Sequence, residues 1–473
     1  MKGNRGGVVV ELIIRTLPMR VVICVCFTVL TGCATVETRT AFSGVEAAIE
    51  DKVSQNIKWR RGGGEDSAVQ TRIQSLLATP LSVEASVQIA LLNNLALQAK
   101  YEDLGLAQAD LVEAGILQNP VFEIMVRPMT NPAGKAQLEF GLVQSFLDIL
   151  MRPARRRLAE AEFSAVQQDV AAEVIALAGE VRVAYYVYQG ALNAEAVISE
   201  TAKAARVSLD LAQAFYDAGN ISDLTLVREQ AAAESADMDL SRAELSVMEH
   251  REHLAVLLGL PDVVSARIPT QLPQEPETDL MYSDYESYAL KSRLDVAAVR
   301  AEVDAAAMAL GLAEDWRLIS ETEVSISAER ESEGQWAIGP GLEIPIPFFD
   351  QGQTATARAL AEFRRARHNL GTLEVTVRSQ VRQALARMRL AKRLAERYRT
   401  TILPLKSQII QRNLEQYNYM LGGAFEVLAA KQEATEAYLE YIETLTDYWT
   451  ARSDLETAVG GGLPRSVLQG ETL

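Results

Sequence analysis

The sequence predicts a mainly α-helical protein with a small β part, in which long helical hairpins accompany four strands. Long Ala-rich stretches repeat apolar residues every three or four positions, which is typical of helices that pack in coiled coils. Short stretches such as ETEVSISAER, Glu321–Arg330, instead alternate apolar and polar residues, which is typical of strands with one buried face. Both kinds of stretch occur in each half of the chain.

Length, composition and charge narrow the possible partners. A chain of 473 residues with 48% hydrophobic residues is long enough to bury cores for two or three domains. Its 63 acidic residues exceed its 46 Lys and Arg residues, so the formal net charge is −17. Because no basic block offsets this charge, we expect no nucleic-acid partner.

The N-terminal residues 1–32 predict a lipoprotein signal peptide. Basic residues precede the apolar run VVICVCFTVL, Val21–Leu30, which is too short to span a bilayer but suits the core of a secretory signal. The following LTGC, Leu30–Cys33, resembles the lipobox of bacterial lipoproteins, and this resemblance implies cleavage before Cys33 and lipidation of its thiol. The alternatives are that Cys33 merely lies at the edge of a signal, and that Met19 is the true start.

Cysteine usage and hydropathy limit how the exported chain can be held together. Cys24, Cys26 and Cys33 are the only cysteines, and the first two lie inside the predicted signal. A mature chain with one cysteine has neither an internal disulfide framework nor a thiolate metal cluster. No later run approaches 18 consecutive apolar residues, so we expect no membrane-spanning helix after the signal.

The two halves of the chain repeat each other at a spacing of about 200 residues, which predicts a duplicated unit. Four separated points carry the match: Leu95 with Leu294, Gly141 with Gly341, Phe163 with Phe363, and Tyr216 with Tyr417. Several prolines lie in the segment between the two halves, which is typical of a linker. We therefore predict an N-terminal lipid-anchored segment over 33–80, a first repeat over 81–262, a linker over 263–283, a second repeat over 284–460 and a tail over 461–473.

Each repeat is predicted to contain a helix, two strands, a very long helix, a tight turn and a second long helix. In the first repeat these are a helix over Ala85–Gly115, strands at about 121–127 and 137–146, and a helix from about Pro153 to Ala218. The second repeat has strands over 321–330 and 336–346, although Pro340 and Pro345 disfavour a central strand.

The turns AGNISD and MLGGAFE are predicted to be the tips of the two helical hairpins. Gly219 is placed to end the first long helix in a left-handed conformation, and Ser222 or Asp223 to cap the next helix. A hairpin of about 100 Å cannot bury its own faces in one globule, so neighbours are expected.

The strand count predicts an assembly of several copies. Strands of about 9–11 residues can cross a bilayer when tilted, but outer-membrane barrels have at least about 8 strands. One chain would leave two unpaired sheet edges in lipid, where each unmet backbone group costs several kcal/mol. Several copies must therefore share one barrel, and three copies would supply 12 strands.

The chain resembles the TolC-like outer-membrane efflux family. The resemblance rests on the lipobox, the duplication, the strand pair before each long helix, IPIPFFDQGQ, the two tips with Tyr216 and Tyr417, and the closing YLEYIETLTDYWTARSDLETAVGG. It implies a homotrimer with a 12-stranded β-barrel in the outer membrane and an α-barrel in the periplasm. It also implies docking to a periplasmic adaptor and an inner-membrane pump.

The same resemblance implies an exit duct that carries substrates such as heavy-metal cations or drugs. LDILMRPARRRLAEAEF and YWTARSDLE are similar to members linked to heavy-metal, especially copper, efflux. The hairpin tips are expected to contact the adaptor; their residues are Gly219, Asn220, Ile221, Ser222, Asp223, Gly422 and Gly423.

Glu426 matches the first of two acids in the gate motif of this family, which implies a ring of three carboxylates at a pore constriction. The position of the second acid holds Ala429, and the first-half counterparts Thr225 and Arg228 are not acidic either. The alternative is that Glu426 caps its helix or pairs with Arg228.

No residue pattern predicts an enzyme, a cofactor or a metal site. His250 and His253 lie one helical turn apart, but no third ligand is apparent. Two other classes of protein remain to be weighed. A periplasmic adaptor lipoprotein would carry one hairpin between Gly- and Val-rich β-domains, and a structural coiled-coil lipoprotein would leave four alternating strands unexplained.

Overall fold

A computed structural model describes residues 39–62, 64–128, 136–261, 268–276, 284–317, 322–330 and 334–462. The predicted signal peptide, Cys33 and parts of the predicted linker and tail lie outside these ranges. Within them, no helix is both long enough and apolar enough to cross a membrane. The described chain divides into two compact units, one built around a sheet and one built of helices.

The elements of the first half follow the predicted order. They are α1 (Arg39–Ile49), α2 (Gly64–Leu77), α3 (Val83–Asn93), α4 (Leu95–Gly115), β1 (Val121–Arg127), β2 (Gln137–Ser145), α5 (Phe146–Asp217) and α6 (Asp223–Leu258).

The second half repeats the order from α3 onward, without counterparts of α1 and α2, and adds a short π-helical turn. Its elements are α7 (Tyr285–Ser292), α8 (Leu294–Asp315), β3 (Glu323–Arg330), β4 (Trp336–Glu343), α9 (Gln353–Arg397), the π-turn (Tyr398–Ile402), α10 (Leu403–Asn418) and α11 (Ala424–Ala458).

The first unit contains a four-stranded antiparallel sheet in the order β1-β2-β3-β4. Both predicted strand pairs are confirmed. β4 ends at Glu343, three residues before the predicted end, because Pro345 has no N–H for the ladder. Pro340 lies inside β4 opposite Ile326 of β3, and since proline has no N–H, it removes one hydrogen-bond donor from this strand.

The register of the sheet separates an apolar face from a polar face. Phe140 lies opposite Ile124 on β1 and Ala328 on β3, and Ala328 lies opposite Ile338 on β4. The polar face carries an Arg127–Glu139 ion pair of 3.4 Å and a Gln137–Glu329 hydrogen bond. The members of the polar face include Glu123, Arg127, Gln137, Glu139, Glu323, Ser325, Ser327, Glu329 and Glu343.

Two helix boundaries differ from the sequence prediction. The helix predicted over Ala85–Gly115 is two helices, because Asn94 leaves the helical conformation. The Asn94 side chain accepts from the Leu97 N–H at 2.9 Å and donates to the Leu257 carbonyl at 2.9 Å. α5 begins at Phe146 rather than near Pro153, with its first turns supported by Asp148, which accepts from Arg155.

The second unit is held by apolar cores between its helices. In the first core, α1 and the chain after it pack Phe42, Val45 and Trp59 with Tyr101 of α4 and Val174 of α5. The segment that follows the predicted signal is therefore part of the folded core over these residues. A second core joins α7, α9 and α11; its members include Tyr285, Val377, Val381, Met388, Tyr448 and Leu455.

The structure shows the duplication at matching backbone turns. Gly219 and Met420 both have positive φ, 74° and 59°, and lie 201 positions apart. In sequence, however, Gly141 and Gly341 are 200 positions apart. The π-turn lies between Gly341 and Met420. It has no counterpart in α5, which is α-helical throughout. A π-turn accommodates one extra residue, so it accounts for the change of offset.

Side chains of α5, α11 and the π-turn bind the segment 268–276. Gln189 of α5 donates to the carbonyls of Pro269 and Gln271, at 2.9 and 2.8 Å. Trp449 of α11 donates to the Pro273 carbonyl at 2.7 Å. Arg399 in the π-turn pairs at 2.8 Å with Glu275, whose side chain is only 2% exposed.

Replacing Arg399 by Met should destabilise the protein by about 1–3 kcal/mol, because Glu275 would stay buried without its partner. We expect the lower part of that range because Arg399 itself is partly exposed. Urea unfolding in detergent, followed by circular dichroism, measures the change. The double variant Arg399→Met/Glu275→Met should recover most of the loss. An Arg399→Met protein as stable as the wild type would contradict this.

Candidate functional site: the hairpin tips and Glu426

The first tip is a compact turn between α5 and α6. The Gly219 N–H donates to the Tyr216 carbonyl and the Asn220 N–H to the Phe215 carbonyl, both at 2.8 Å. This pair of bonds, with Gly219 at positive φ, is a Schellman motif. Gly219 therefore ends α5 as predicted.

The structure shows which of the two predicted residues, Ser222 or Asp223, caps α6. Ser222 is the N-cap, and its hydroxyl accepts from the Thr225 N–H at 3.3 Å. Asp223 is the first helical residue, where the helix dipole favours its negative charge. Asn220, Ser222 and Asp223 are exposed, whereas Ile221 is half-buried.

The second tip repeats the first with a different residue at the critical position. The Met420 N–H donates to the Tyr417 carbonyl at 3.0 Å and the Leu421 N–H to the Gln416 carbonyl at 2.9 Å. Met420 thus stands where Gly219 stands in the first tip. Among the described residues it is the only non-glycine with positive φ, a conformation that costs an L-residue roughly 1–2 kcal/mol.

The sequence prediction placed the second tip at MLGGAFE, with Gly422 and Gly423 as its adaptor-contacting residues, and the structure adds Tyr419 before it. Met420 is 94% exposed, and Tyr419 and Leu421 are exposed as well. Gly423 is the N-cap of α11 but has no side chain to cap with. The positive φ of Met420 was not predicted, although the repeat indicates it, since Met420 lies 201 positions after Gly219.

Glu426 lies in the first turn of α11, three residues after Gly423. Its N–H donates to the Gly423 carbonyl at 3.3 Å, and its carboxylate approaches Gly422 so closely that a Cβ there would be 2.6 Å from Oε2. A side chain at position 422 would therefore displace this carboxylate.

The alternatives for Glu426 can be compared with its contacts. Within the described ranges, no hydrogen bond or ion pair engages its carboxylate, and none joins it to Arg228. Both side chains are exposed. Glu426 therefore stands as an unpaired carboxylate at a helix N-terminus, beside the second tip.

Two other candidate features can be placed. Cys33 lies outside the described residues. His253 is exposed and His250 half-buried on α6, and no group of three or more His, Cys, Asp or Glu in the described part could hold a metal ion.

Comparison with known proteins gives a consistent result. The family model described as "Outer membrane efflux protein" matches residues 86–260 and 287–461. The cobalt-zinc-cadmium resistance protein CzcC of Cupriavidus metallidurans is 24% identical over 400 residues, which cover 81% of this chain and 91% of the relative.

Two solved structures, an outer membrane channel and a membrane protein, have the same fold as this chain. The CmeC outer membrane channel of Campylobacter jejuni has a TM-score of 0.68 at 16% identity and covers 82% of this chain and 87% of its own. A membrane protein from Pseudomonas aeruginosa also has a TM-score of 0.68, at 19% identity, and covers 80% of this chain and 93% of its own.

The two tips should respond in opposite directions to exchange of the residue at positive φ. Gly219→Ala should strain the first tip by about 1–2 kcal/mol and speed hydrogen exchange of the Asn220 amide roughly five- to thirtyfold. Met420→Gly should relieve the second tip and slow exchange of the Leu421 amide. Mass-resolved hydrogen exchange on tip peptides measures both. Faster exchange in both variants would contradict the shared left-handed geometry.

Proposed function

The chain belongs to the outer membrane efflux protein family, and we propose that three copies of it form the exit duct of a tripartite efflux system. The family model covers both repeats, so the efflux function applies to most of the chain. In this proposal the strands of three copies form a 12-stranded β-barrel in the outer membrane, and their long helices form an α-barrel in the periplasm. The duct is passive and not an enzyme.

The observation that best supports an assembly of three copies is the sheet of one chain, which has two unpaired edges. β1 and β4 are edges of a four-stranded sheet, and most large apolar side chains on its apolar face are exposed, whereas Leu138 and Phe140 are half-buried. In lipid, each unpaired backbone group on such an edge costs several kcal/mol. Pairing β1 of one copy with β4 of the next satisfies both edges, and three copies give the 12 strands of one closed barrel.

The two faces of the sheet suit the two environments of such a barrel. Phe122, Phe140 and Trp336 stack along the apolar face with ring centroids 6.4 and 6.1 Å apart, and would face lipid. The polar face would line the lumen. It carries five glutamates, Glu123, Glu139, Glu323, Glu329 and Glu343, against Arg127 alone. A lumen with this excess of carboxylates favours cations.

We propose divalent heavy-metal cations as the substrate class, with drugs as the alternative. The acidic polar face supports this, and so does the similarity to a protein named for cobalt, zinc and cadmium resistance. The hairpin tips would contact the adaptor, and the exposed Tyr419, Met420 and Leu421 add apolar surface to the residues predicted from the sequence. The two alternative classes, an adaptor and a structural coiled-coil lipoprotein, do not explain the amphipathic sheet.

The assembly and the lipid anchor can be tested on one preparation. Native mass spectrometry in mild detergent should give the mass of three chains, and radioactive palmitate should label the wild type. Cys33→Ser should lose the label and keep the trimer, because the barrel does not depend on the anchor. A monomer would contradict the barrel. Labelling of Cys33→Ser equal to the wild type would contradict lipidation at Cys33.

Glu426 should contribute to cation selectivity, because three carboxylates crowded in a narrow pore attract cations. Glu426→Gln should lower cation preference and weaken block by divalent cations in planar bilayers. Glu436→Gln, ten residues further along α11, removes the same charge and serves as the matched control. Unchanged selectivity in a trimeric Glu426→Gln protein, or an equal effect of both variants, would contradict a constriction at Glu426.

A further inference from the structure

The second hairpin tip presents the most exposed thioether among the described methionines. Met420 is 94% exposed, whereas Met238 of α6 is 55% exposed and Met388 of α9 is 3% exposed. The remaining described methionines are all less exposed than Met238; they are Met125, Met151, Met248 and Met308. A small reagent dissolved in the surrounding water therefore reaches the Met420 sulfur more readily than the other described sulfurs.

The backbone holds Met420 in a conformation that methionine rarely takes. Its φ of 59° is positive, and the equivalent residue of the first tip is Gly219. Hydrogen bonds on both sides fix the turn, because the Met420 N–H donates to the Tyr417 carbonyl and the Leu421 N–H to the Gln416 carbonyl. Such strain is typical of functional sites. A methionine where glycine would be unstrained therefore indicates that the side chain itself has a role.

Tyr419, Met420 and Leu421 form an apolar tip patch that the first tip lacks. All three side chains are exposed. The equivalent residues of the first tip lie 201 positions earlier and are Ala218, Gly219 and Asn220. They offer little apolar surface. Methionine suits protein-binding surfaces, because its flexible and polarizable thioether adapts to the shape of a partner. In the proposed duct, Met420 is therefore the middle residue of the apolar part of the adaptor contact.

An exposed thioether is also a site of two-electron oxidation. With hydrogen peroxide, a lone pair of the Met420 sulfur attacks one peroxide oxygen, so that an S–O bond forms while the O–O bond breaks. The departing hydroxide takes the remaining proton and becomes water. The sulfur is oxidised to the sulfoxide and the peroxide is reduced. The product is polar and chiral, which places a hydrogen-bond acceptor in the middle of the apolar tip patch.

We propose that Met420 is an oxidation site, at which peroxide forms the sulfoxide and thereby weakens docking of the second tip on the adaptor. The inference rests on the proposed function, because it takes the second tip as part of the adaptor contact. Burial of an apolar side chain of this size contributes to binding, so conversion to the polar sulfoxide should weaken docking about ten- to hundredfold. Methionine sulfoxide reductases restore the thioether, so the modification is reversible.

The formation of the sulfoxide is measured on the full-length protein in mild detergent. Graded amounts of hydrogen peroxide are added, and peptide mass spectrometry follows the oxidation of each methionine. Met420 should be oxidised at least about tenfold faster than the buried Met388, and also faster than Met238, because its sulfur is the most accessible. Oxidation of Met420 no faster than that of Met388 would overturn the inference, whatever the number of copies in the assembly.

The effect on docking is measured in cells that produce the adaptor. The photoreactive amino acid p-benzoylphenylalanine in place of Tyr419 should form a light-induced adduct with the adaptor, which mass spectrometry identifies. A pulse of peroxide should lower the amount of adduct about tenfold or more when Met420 is present. In Met420→Leu the pulse should leave the adduct at the level of the untreated Met420→Leu cells. Met238→Leu is the matched control, because it removes another exposed thioether and should not prevent the loss.

A permanent polar side chain gives an independent measurement without peroxide. Met420→Gln places an amide where the sulfoxide would place its polar oxygen, and its backbone strain is that of another non-glycine residue. This variant should give about as little adaptor adduct in untreated cells as the Met420 protein gives after the pulse. Full adduct formation by Met420→Gln would overturn the inference, because a polar side chain at this position would then be compatible with docking.

The outcomes separate this inference from the proposed function. An adaptor adduct that survives complete oxidation of Met420, or that is lost equally in the Met420 protein and in Met420→Leu, would overturn the inference and leave the adaptor contact standing. The absence of any adaptor adduct in untreated cells that contain Met420 would contradict the contact of the second tip with the adaptor. That result would overturn both this part of the proposed function and the effect of oxidation on docking.

Discussion

Unpaired backbone groups on sheet edges are the constraint on which the rest of this structure depends. The sheet of one chain ends at β1 and β4, and a lipid bilayer offers neither edge a hydrogen-bonding partner. The amphipathic register adds a second demand, because Phe140 and Ile338 share an apolar face and Glu139 and Glu329 a polar one. A closed barrel shared by several copies meets both demands, since it pairs the edges and separates lipid from water.

The helical unit is incomplete in the same way, and the duplication explains why. Each repeat supplies one long helix and one return helix, and within the described residues of one chain α5 packs closely on the return helix of the other repeat, α11. The faces of α9 and α6 that would make the equivalent contact remain exposed. Sheet and helices thus each leave a face that a neighbouring copy could cover, as the proposed duct of three copies requires.

Local patterns predicted most of the elements, and long-range contacts account for the differences. Alternation alone placed β1 over Val121–Arg127, and glycine placed the end of α5 at Gly219. The break at Asn94 was not predictable, because its side chain bonds to Leu257, far away in sequence. Met420 was placed in the second tip, but its positive φ was not predicted because methionine rarely takes that conformation. The roles of Cys33 and Glu426 stay predictions, since they depend on lipid and on neighbouring copies.

Hydrogen exchange of the edge strands in lipid nanodiscs tests the central claim most directly. The amides of β1 and β4 that do not bond within the sheet of one chain should be protected as strongly as those of β2 and β3, because the edges pair between copies. Rapid exchange at β1 and β4, with β2 and β3 protected, would show that the edges stay open. It would contradict a barrel built from several copies.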